Sequence, residues 1–262
     1  MSLVTCFLEQ HFIRKPKLRR FVTRLLYGNR DLDIEILGTR IRINTIKENG
    51  YFRAARLART RGLLRDEVSV LLNLSCLFSN GDTFVDVGAN VGIYCLTFAR
   101  FRLFYADTRF YAFEANPDTY SRLAPNAKAL GVVAYNLAIS DFDGVLEFVG
   151  GAVSHVFTTV ENRSSYSLPE APIVIQCRRL DRMDLNGGSI ILKIDVEGQE
   201  LRVLNGAQRL FDAGRIKAVY LDGYARKKEV EAFLLNQGLS LREGRSLDAT
   251  TGSVFSLLAL RP

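Results

Sequence analysis

The sequence FVDVGANVGIYCLTFAR, residues 84–100, is the stretch from which the fold can be read. An apolar run ends at Asp86, Gly88 and Gly92 follow on either side of Asn90, and apolar residues then resume at helical spacing. A glycine-rich turn between a strand and a helix lets backbone N–H groups and the helix N-terminus approach a ligand. The spacing D-x-G-x-N-x-G is not the G-x-G-x-x-G pattern of nicotinamide-binding folds, so it favours a different nucleoside.

From residue 83 onward, short β-rich runs alternate with longer amphipathic runs, which predicts a parallel sheet covered by helices. Strands are predicted at residues 83–87, 109–113, 132–136, 190–194, 218–221 and 254–260, the last of which could close the sheet. Helices are predicted at residues 93–101, 199–211 and 228–235, with another from Pro117 that Pro125 is expected to kink or interrupt. Two weaker runs, 145–149 and 173–177, predict a β insertion whose connecting loop is either a lid or plain surface.

The composition is that of a globular protein, because apolar residues make up 48% and charged residues 24% of the 262 positions. No apolar run reaches the ~20 residues that a bilayer span requires. The first residues lack the pattern of a secretory signal, and four scattered cysteines without a C-x-x-C motif indicate reduced thiols. Cytoplasmic localisation is therefore predicted. No metal site is predicted either, because His11 and His155 do not lie at ligand spacing from any cysteine.

The second predicted strand ends at Glu114, within YAFEANP. A carboxylate at this position of an α/β sheet can accept hydrogen bonds from both hydroxyls of a ribose. Because Glu114 follows Asp86 and the glycines by about one βαβ unit, it is a candidate ribose ligand.

Four segments in this order resemble the FkbM-type S-adenosylmethionine-dependent methyltransferases: DVGANVGIY, AFEANPDTYSRL, NLAISDFDGVLEF and ILKIDVEGQELRVLNGA. The resemblance runs from about residue 71 to residue 220. It implies an α/β, Rossmann-like class I methyltransferase fold with a seven-stranded, mostly parallel sheet whose last strand is antiparallel. We accordingly divide the chain into a basic N-terminal extension with helical and β parts, residues 1–70, and a methyltransferase domain, residues 71–262.

The resemblance also implies S-adenosylmethionine as the cofactor, lying over the carboxyl ends of the first strands. Gly88, Asn90 and Gly92 would then shape the pocket for the methionine portion, and Asp86 would help to fix it. Glu114 would hold the ribose, and the backbone near Leu137 and Ala138 would lie against the adenine.

KIDVEG, residues 193–198, follows the apolar run at the carboxyl end of a central strand, where open α/β sheets bind ligands. Asp195 is the first candidate for binding or activating an acceptor hydroxyl. Glu197 either assists Asp195 on the same strand face or lies in the first turn of the next helix. Lys193 either lowers the pKa of the attacking hydroxyl, as in ribose 2′-O-methyltransferases, or simply pairs with Asp195 or Glu114.

Two further residues are candidates at the acceptor site. His155, at the start of the insertion in GGAVSHVF, is a candidate general base because the pKa of histidine lies near neutrality. A structural role for this histidine is the alternative. Asp222, after the fifth strand of the main sheet in YLDGY, is a weaker candidate that family likeness suggests.

The basic character belongs to the N-terminal third, because residues 1–80 carry a net charge of +8 and residues 81–262 carry −1. After Pro16, apolar residues fall on one helical stripe: Leu18, Phe21, Val22, Leu25 and Leu26. This helix either docks on its own domain through the stripe or, within residues 11–30, contacts an anionic membrane at the inner face. A second basic run, residues 53–65, either steers an acidic acceptor or is a solvated helix face.

The function predicted from these features is O-methylation of a hydroxyl, with a hydroxylated small molecule or a saccharide of a glycan, glycolipid or glycosylated metabolite as the acceptor. The saccharide comes from the resemblance alone. One alternative is an RNA ribose 2′-O-methyltransferase, although nucleic acid is disfavoured because the basic runs lack interleaved aromatic residues. The other alternative is an S-adenosylmethionine-binding module without catalysis.

Overall fold

The computed structural model describes residues 16–56, 65–150, 157–160, 171–244 and 256–262. The helices are α1 (Pro16–Tyr27), α2 (Asn49–Arg56), α3 (Arg65–Ser75), α4 (Ile93–Arg100), α5 (Pro117–Ala129), α6 (Glu200–Asn205), α7 (Gln208–Asp212) and α8 (Lys227–Asn236). The strands are β1 (Asp31–Ile36), β2 (Thr39–Asn44), β3 (Thr83–Val87), β4 (Arg109–Phe113), β5 (Val133–Tyr135), β6 (Ala138–Ile139), β7 (Gly144–Gly150), β8 (Phe157–Thr159), β9 (Ile173–Arg178), β10 (Ile190–Ile194), β11 (Ile216–Asp222), β12 (Ser240–Gly244) and β13 (Ser256–Leu260).

The central sheet has seven strands in the order β12-β13-β11-β10-β3-β4-β5. Strands β11, β10, β3, β4 and β5 are parallel, and β13 is antiparallel to both of its neighbours. The predicted sheet, with its last strand antiparallel, is confirmed. The last strand does not close the edge, however: β13 lies between β11 and β12, and β12 was not predicted.

The middle of the sheet is covered on both faces, which explains why its strands are mostly apolar. Every residue of β3 and β10 is buried. Side chains alternate between two cores: Phe84 and Ile191 belong to one, and Val85 and Leu192 belong to the other. Because β3, β4 and β10 are parallel, their carboxyl ends lie at the same edge of the sheet.

Two helices differ from their predicted form. The predicted helix over residues 199–211 is divided into α6 and α7 at Gly206, where a β-carbon would overlap the carbonyl oxygen of Ser140. Helix α5, in contrast, continues through Pro125. Pro125 is exposed, so water can satisfy the carbonyl group that the proline leaves without a donor.

The predicted β insertion is confirmed as a four-stranded sheet in the order β6-β9-β7-β8. It has a small core of its own, formed by Ala138, Phe148, Ile175 and Cys177. Residues 151–156 and 161–170, before and after β8, lie outside the described residues, and the candidate base His155 is among them.

The N-terminal β hairpin, β1 and β2, packs into the same core as the central sheet. Ile34 and Ile41 belong to one apolar cluster with Phe84 of β3. A buried ion pair adds to this contact, because Arg122 of α5 lies 2.9 Å from the carboxylate of Glu48. Within the described ranges, no helix combines the length and the apolar character needed to cross a bilayer.

Candidate functional site

A cleft of about 730 Å³, partly open to solvent, lies at the carboxyl ends of β3, β4 and β10. The residues that line it come from the central sheet, the turns after its strands and the insertion: Val87, Gly88, Asn90, Phe113, Glu114, Ala115, Leu137, Ala138, Ile139, Ser140, Leu146, Phe148, Phe157, Asp195, Val196, Glu197 and Gln199. Of the predicted site residues, the cleft brings together Gly88, Asn90, Glu114, Leu137, Ala138, Asp195 and Glu197.

The turn after β3 is hydrogen-bonded to the last residue of β4. The backbone nitrogens of Gly88 and Ala89 donate to the carbonyl oxygen of Phe113 at 2.9 and 3.0 Å. Gly88 and Asn90 both have left-handed backbones, with φ of 76° and 51°. A β-carbon on Gly88 would overlap the carbonyl oxygen of Asp195. The chain itself therefore fills the space beside the α-carbon of Gly88.

Two of the predicted cofactor residues, Gly92 and Asp86, lie outside the lining of this cleft. Gly92 caps α4 with φ of 89°, a left-handed backbone that favours glycine, and a β-carbon there would also displace the methyl group of Leu123. The side chain of Asp86 is fully buried in β3 and pairs with Lys193.

Glu114 holds two backbone segments together at the end of β4. Its Oε2 accepts from the nitrogen of Asn90 at 2.8 Å, and its Oε1 accepts from the nitrogen of Asn116 at 2.9 Å. Each oxygen keeps a lone pair, so the carboxylate can still accept from a diol. Burial raises the pKa of Glu114 to about 7, although the two backbone donors oppose this shift.

The other wall of the cleft is largely apolar. Phe113, Leu137 and Ala138 line one side, and the stacked rings of Phe148 and Phe157, with centroids 5.0 Å apart, line it from the insertion. Sequence reasoning missed these two rings, although Phe148 lies in a predicted strand. An apolar slot next to a diol-binding carboxylate fits a nucleoside, so the residues present fit S-adenosylmethionine.

A buried lysine lies beneath the cleft. Lys193 Nζ lies 3.0 Å from Asp86 Oδ1 and 3.6 Å from Asp195 Oδ2, and it donates to the carbonyl oxygen of Gly88 at 3.4 Å. Although burial acts against the charge, the carboxylates of Asp86 and Asp195 raise the pKa of Lys193. The pairing interpretation fits this geometry. Direct contact between Lys193 and an acceptor does not, because its side chain is only 2% exposed.

Asp195 lines the cleft, unlike the buried residues Asp86 and Lys193 with which it shares a cluster of charges. Its side chain is 37% exposed, just beyond the end of β10. Its low-dielectric surroundings raise its pKa to about 7; Lys193 opposes this shift, and Asp222 and Glu197 add to it. A carboxylate with this pKa can take a proton from a hydroxyl near neutral pH.

Glu197 lies in neither of the two predicted settings. It has a left-handed backbone, φ of 48°, in the turn between β10 and α6. Its carbonyl oxygen accepts from Thr158 Oγ1 at 3.1 Å, and Gln199 Nε2 donates to Thr159 Oγ1 at 3.0 Å. These two bonds hold strand β8 of the insertion against the turn that carries Glu197.

Asp222, the weaker acceptor-site candidate, lies outside the cleft. Asp222 ends β11 and acts on the site through its charge, but it does not line the cleft. Across the described part of the chain, no three His, Cys, Asp or Glu side chains are grouped so that they could hold a metal ion.

Comparison with known proteins gives a family match, a related sequence and similar solved structures. The family model "Methyltransferase FkbM domain" matches residues 86–241, a segment that contains every predicted site residue. The chain is 27% identical over 184 residues to the hexuronic acid methyltransferase AglP of Haloferax volcanii. The aligned residues make up 68% of this chain and 71% of that protein.

Two solved structures are similar to parts of the chain. One is a precorrin-6y C5,15-methyltransferase from Geobacter metallireducens, with a TM-score of 0.41 and 14% identity over 75% of this chain and 88% of the other. The second is a TehB-like SAM-dependent methyltransferase from Corynebacterium glutamicum, with a TM-score of 0.42 and 11% identity over 82% and 98%.

Proposed function

Since this chain belongs to the FkbM family of S-adenosylmethionine-dependent methyltransferases, we propose that it transfers a methyl group to a hydroxyl of a saccharide. The observation that carries the proposal is the position of Asp195, which shares one cleft with Glu114 and has a pKa raised to about 7. The likeness to a hexuronic acid methyltransferase supports the choice of a saccharide.

The lining of the cleft suggests which residues would hold the cofactor. Glu114 would accept from the ribose hydroxyls, and Leu137 and Ala138 would lie against the adenine beside Phe113. The turn at Gly88 and Asn90 would border the methionine portion. When bound, S-adenosylmethionine supplies a sulfonium methyl group that is already a strong electrophile, so alignment provides much of the acceleration.

Asp195 would bind the acceptor hydroxyl and take its proton as the oxygen attacks. A base is needed for this step because a sugar hydroxyl is a weak nucleophile until its proton is removed. Lys193 would act as a positioning residue, since it contacts the carboxylate of Asp195 from below while itself buried. Glu197, on the same turn and in the same cleft, would bind a second hydroxyl of the acceptor.

A ribose 2′-O-methyltransferase was favoured by Lys193 and by the basic N-terminal third, and the geometry of Lys193 does not support it. That interpretation needs Lys193 to reach an acceptor hydroxyl, and the side chain is instead enclosed by Asp86, Asp195 and the ring of Tyr94 at 4.9 Å.

The experiment that tests the proposal has two stages. Calorimetric titration with S-adenosylmethionine first measures binding, and radiolabelled methyl transfer is then followed to separate pools of neutral saccharides, uronic-acid saccharides and RNA. We expect label in a saccharide pool. Label in RNA alone would overturn the proposal, and tight binding without transfer to any pool would favour the module without catalysis.

A further inference from the structure

Helix α1 turns its apolar residues toward solvent. Leu18, Phe21, Leu25 and Leu26, here called the apolar stripe of α1, are 41%, 64%, 74% and 65% exposed. An amphipathic helix that docks on its own domain normally buries such residues. Helix α1 therefore does not contact its own domain through this stripe.

The helix is attached to the domain by its opposite side. Thr23 is buried, and its Oγ1 accepts from Asn49 Nδ2 at 2.9 Å. One turn further on, the ring of Tyr27 packs edge-on against Phe52 with centroids 5.0 Å apart. Leu25 follows Thr23 by two residues, which places it about 160° away around the helix. Leu18 and Phe21 lie at similar angles from Thr23, whereas Leu26 lies about 60° from it.

The charge around the stripe has one sign. Residues 16–30 contain Lys17, Arg19, Arg20, Arg24 and Arg30 and no acidic residue. A second copy of this helix would bring the same positive charge to the stripe. The preceding segment of the same chain, residues 1–15, also carries more basic than acidic side chains. Neither a second copy nor this segment would therefore bring negative charge to the basic residues beside the stripe.

We infer that α1 is an interfacial helix that seats the protein on an anionic lipid surface. The stripe would enter the boundary between headgroups and acyl chains, and Lys17 and Arg24, both exposed, would pair with the headgroups beside it. The attachment through Thr23 and Tyr27 leaves the stripe free to make this contact while the helix stays on the domain.

Flotation of the full chain tests the inference, with phosphatidylcholine vesicles that contain or lack phosphatidylglycerol. We expect flotation with the anionic vesicles, weakened by salt because the attraction is partly electrostatic. Leu25→Ser should lower the apparent affinity about tenfold or more. Leu235→Ser is the matched control, because Leu235 is 55% exposed on α8, which packs into the other core of the sheet.

Three results would overturn the inference. The first is equal or absent flotation with both kinds of vesicle. The second is an equal loss in Leu25→Ser and Leu235→Ser. The third is a dimer, measured by light scattering, that Leu25→Ser converts to a monomer, since the stripe would then belong to a second copy. Circular dichroism of each variant separates these results from misfolding.

Discussion

The carbonyl oxygen of Asp195 fills the position that a β-carbon of Gly88 would occupy. The same two strand ends are joined by a hydrogen bond, because the nitrogen of Asp195 donates to the carbonyl oxygen of Val87 at 2.9 Å. Direct backbone contact therefore sets the distance between the turn at Gly88 and Asp195, the candidate base. Gly88 has the sequence context of a ligand-binding glycine, but in the fold it allows two backbone segments to pack closely.

Gly88→Ala should destabilise the protein, because the new methyl group overlaps backbone that cannot rotate away. We expect a loss of at least about 2 kcal/mol in the free energy of unfolding, measured with urea. Gly214→Ala is the matched control, since Gly214 has φ of 67° with no atom within 4 Å of the added carbon. Equal losses in the two variants would show that backbone conformation alone is responsible.

Glu114→Gln should weaken cofactor binding. A glutamine side chain offers one acceptor oxygen in place of two, so one of the nitrogens of Asn90 and Asn116 loses its partner. We expect the Kd for S-adenosylmethionine to rise about tenfold to a hundredfold by calorimetry. Glu147→Gln, at an exposed position on β7, should leave the Kd unchanged. An unchanged Kd in Glu114→Gln would remove Glu114 from the cofactor site.

Asp195→Asn should lower turnover by about 10²–10⁴-fold while the Kd for the cofactor stays nearly constant. In the unmodified protein, Asp195 is protonated below its pKa of about 7 and cannot accept a proton there. The kcat/KM should therefore rise with pH up to about 7 and then level off. Asp222→Asn should move this inflection to lower pH, because the Asp222 charge raises the pKa of Asp195. A normal turnover in Asp195→Asn would contradict the assigned role.

Lys193→Met should affect both stability and the pH profile. The substitution leaves the buried carboxylate of Asp86 without its partner, so we expect a loss of about 3–5 kcal/mol in unfolding measurements. Since Lys193 lowers the pKa of Asp195, the inflection should also move to higher pH. Replacing Asp86 by Leu in the same chain should restore stability, which keeps the pH measurement accessible.

Lys217→Met is the control for Lys193. Lys217 pairs with Asp82, next to the amino end of β3 and outside the cleft lining, and its side chain is 25% exposed. It should lose less stability and leave the pH profile in place. A shift of the inflection in Lys217→Met would show that the profile does not report on Asp195.

Arg122→Met should loosen the N-terminal hairpin from the domain. Both Arg122 and Glu48 are buried, so removal of the guanidinium leaves an unpaired carboxylate in the core and should cost about 3–5 kcal/mol. Arg40→Met is the control, because its pair with Asp33 is largely exposed and is expected to contribute less than about 1 kcal/mol. The two variants are compared by urea unfolding, and similar losses would contradict the argument.

The parts of the fold that sequence predicted well are those with an unambiguous local pattern. Strands β3 and β10 were predicted with their observed bounds, because runs such as TFVDV and IILKI are apolar on both faces. The close approach of Gly206 to the backbone of Ser140, at the break between α6 and α7, was not predictable in this way, since the two residues are far apart in the sequence. Strand β12 was missed because SLREG has no comparable apolar run.

The same division applies to the candidate site. Glu114 and Asp195 could be located because ligands bind at the carboxyl ends of strands. The Asp86–Lys193 pair depends on the register of β3 against β10, in which these two residues are direct partners. No local pattern gives that register. The left-handed turn at Glu197 likewise has no sequence signal, because non-glycine residues rarely adopt it.

The position of β13 inside the sheet has a consequence for synthesis on the ribosome. Strand β12 joins the sheet only through β13, which follows it in the chain and must first pair with β11. Until then, β11 and β12 each expose an edge that can pair with other nascent chains. A premature stop codon before residue 256 would make this exposure permanent, so such truncated products should aggregate rather than persist as partly active enzymes.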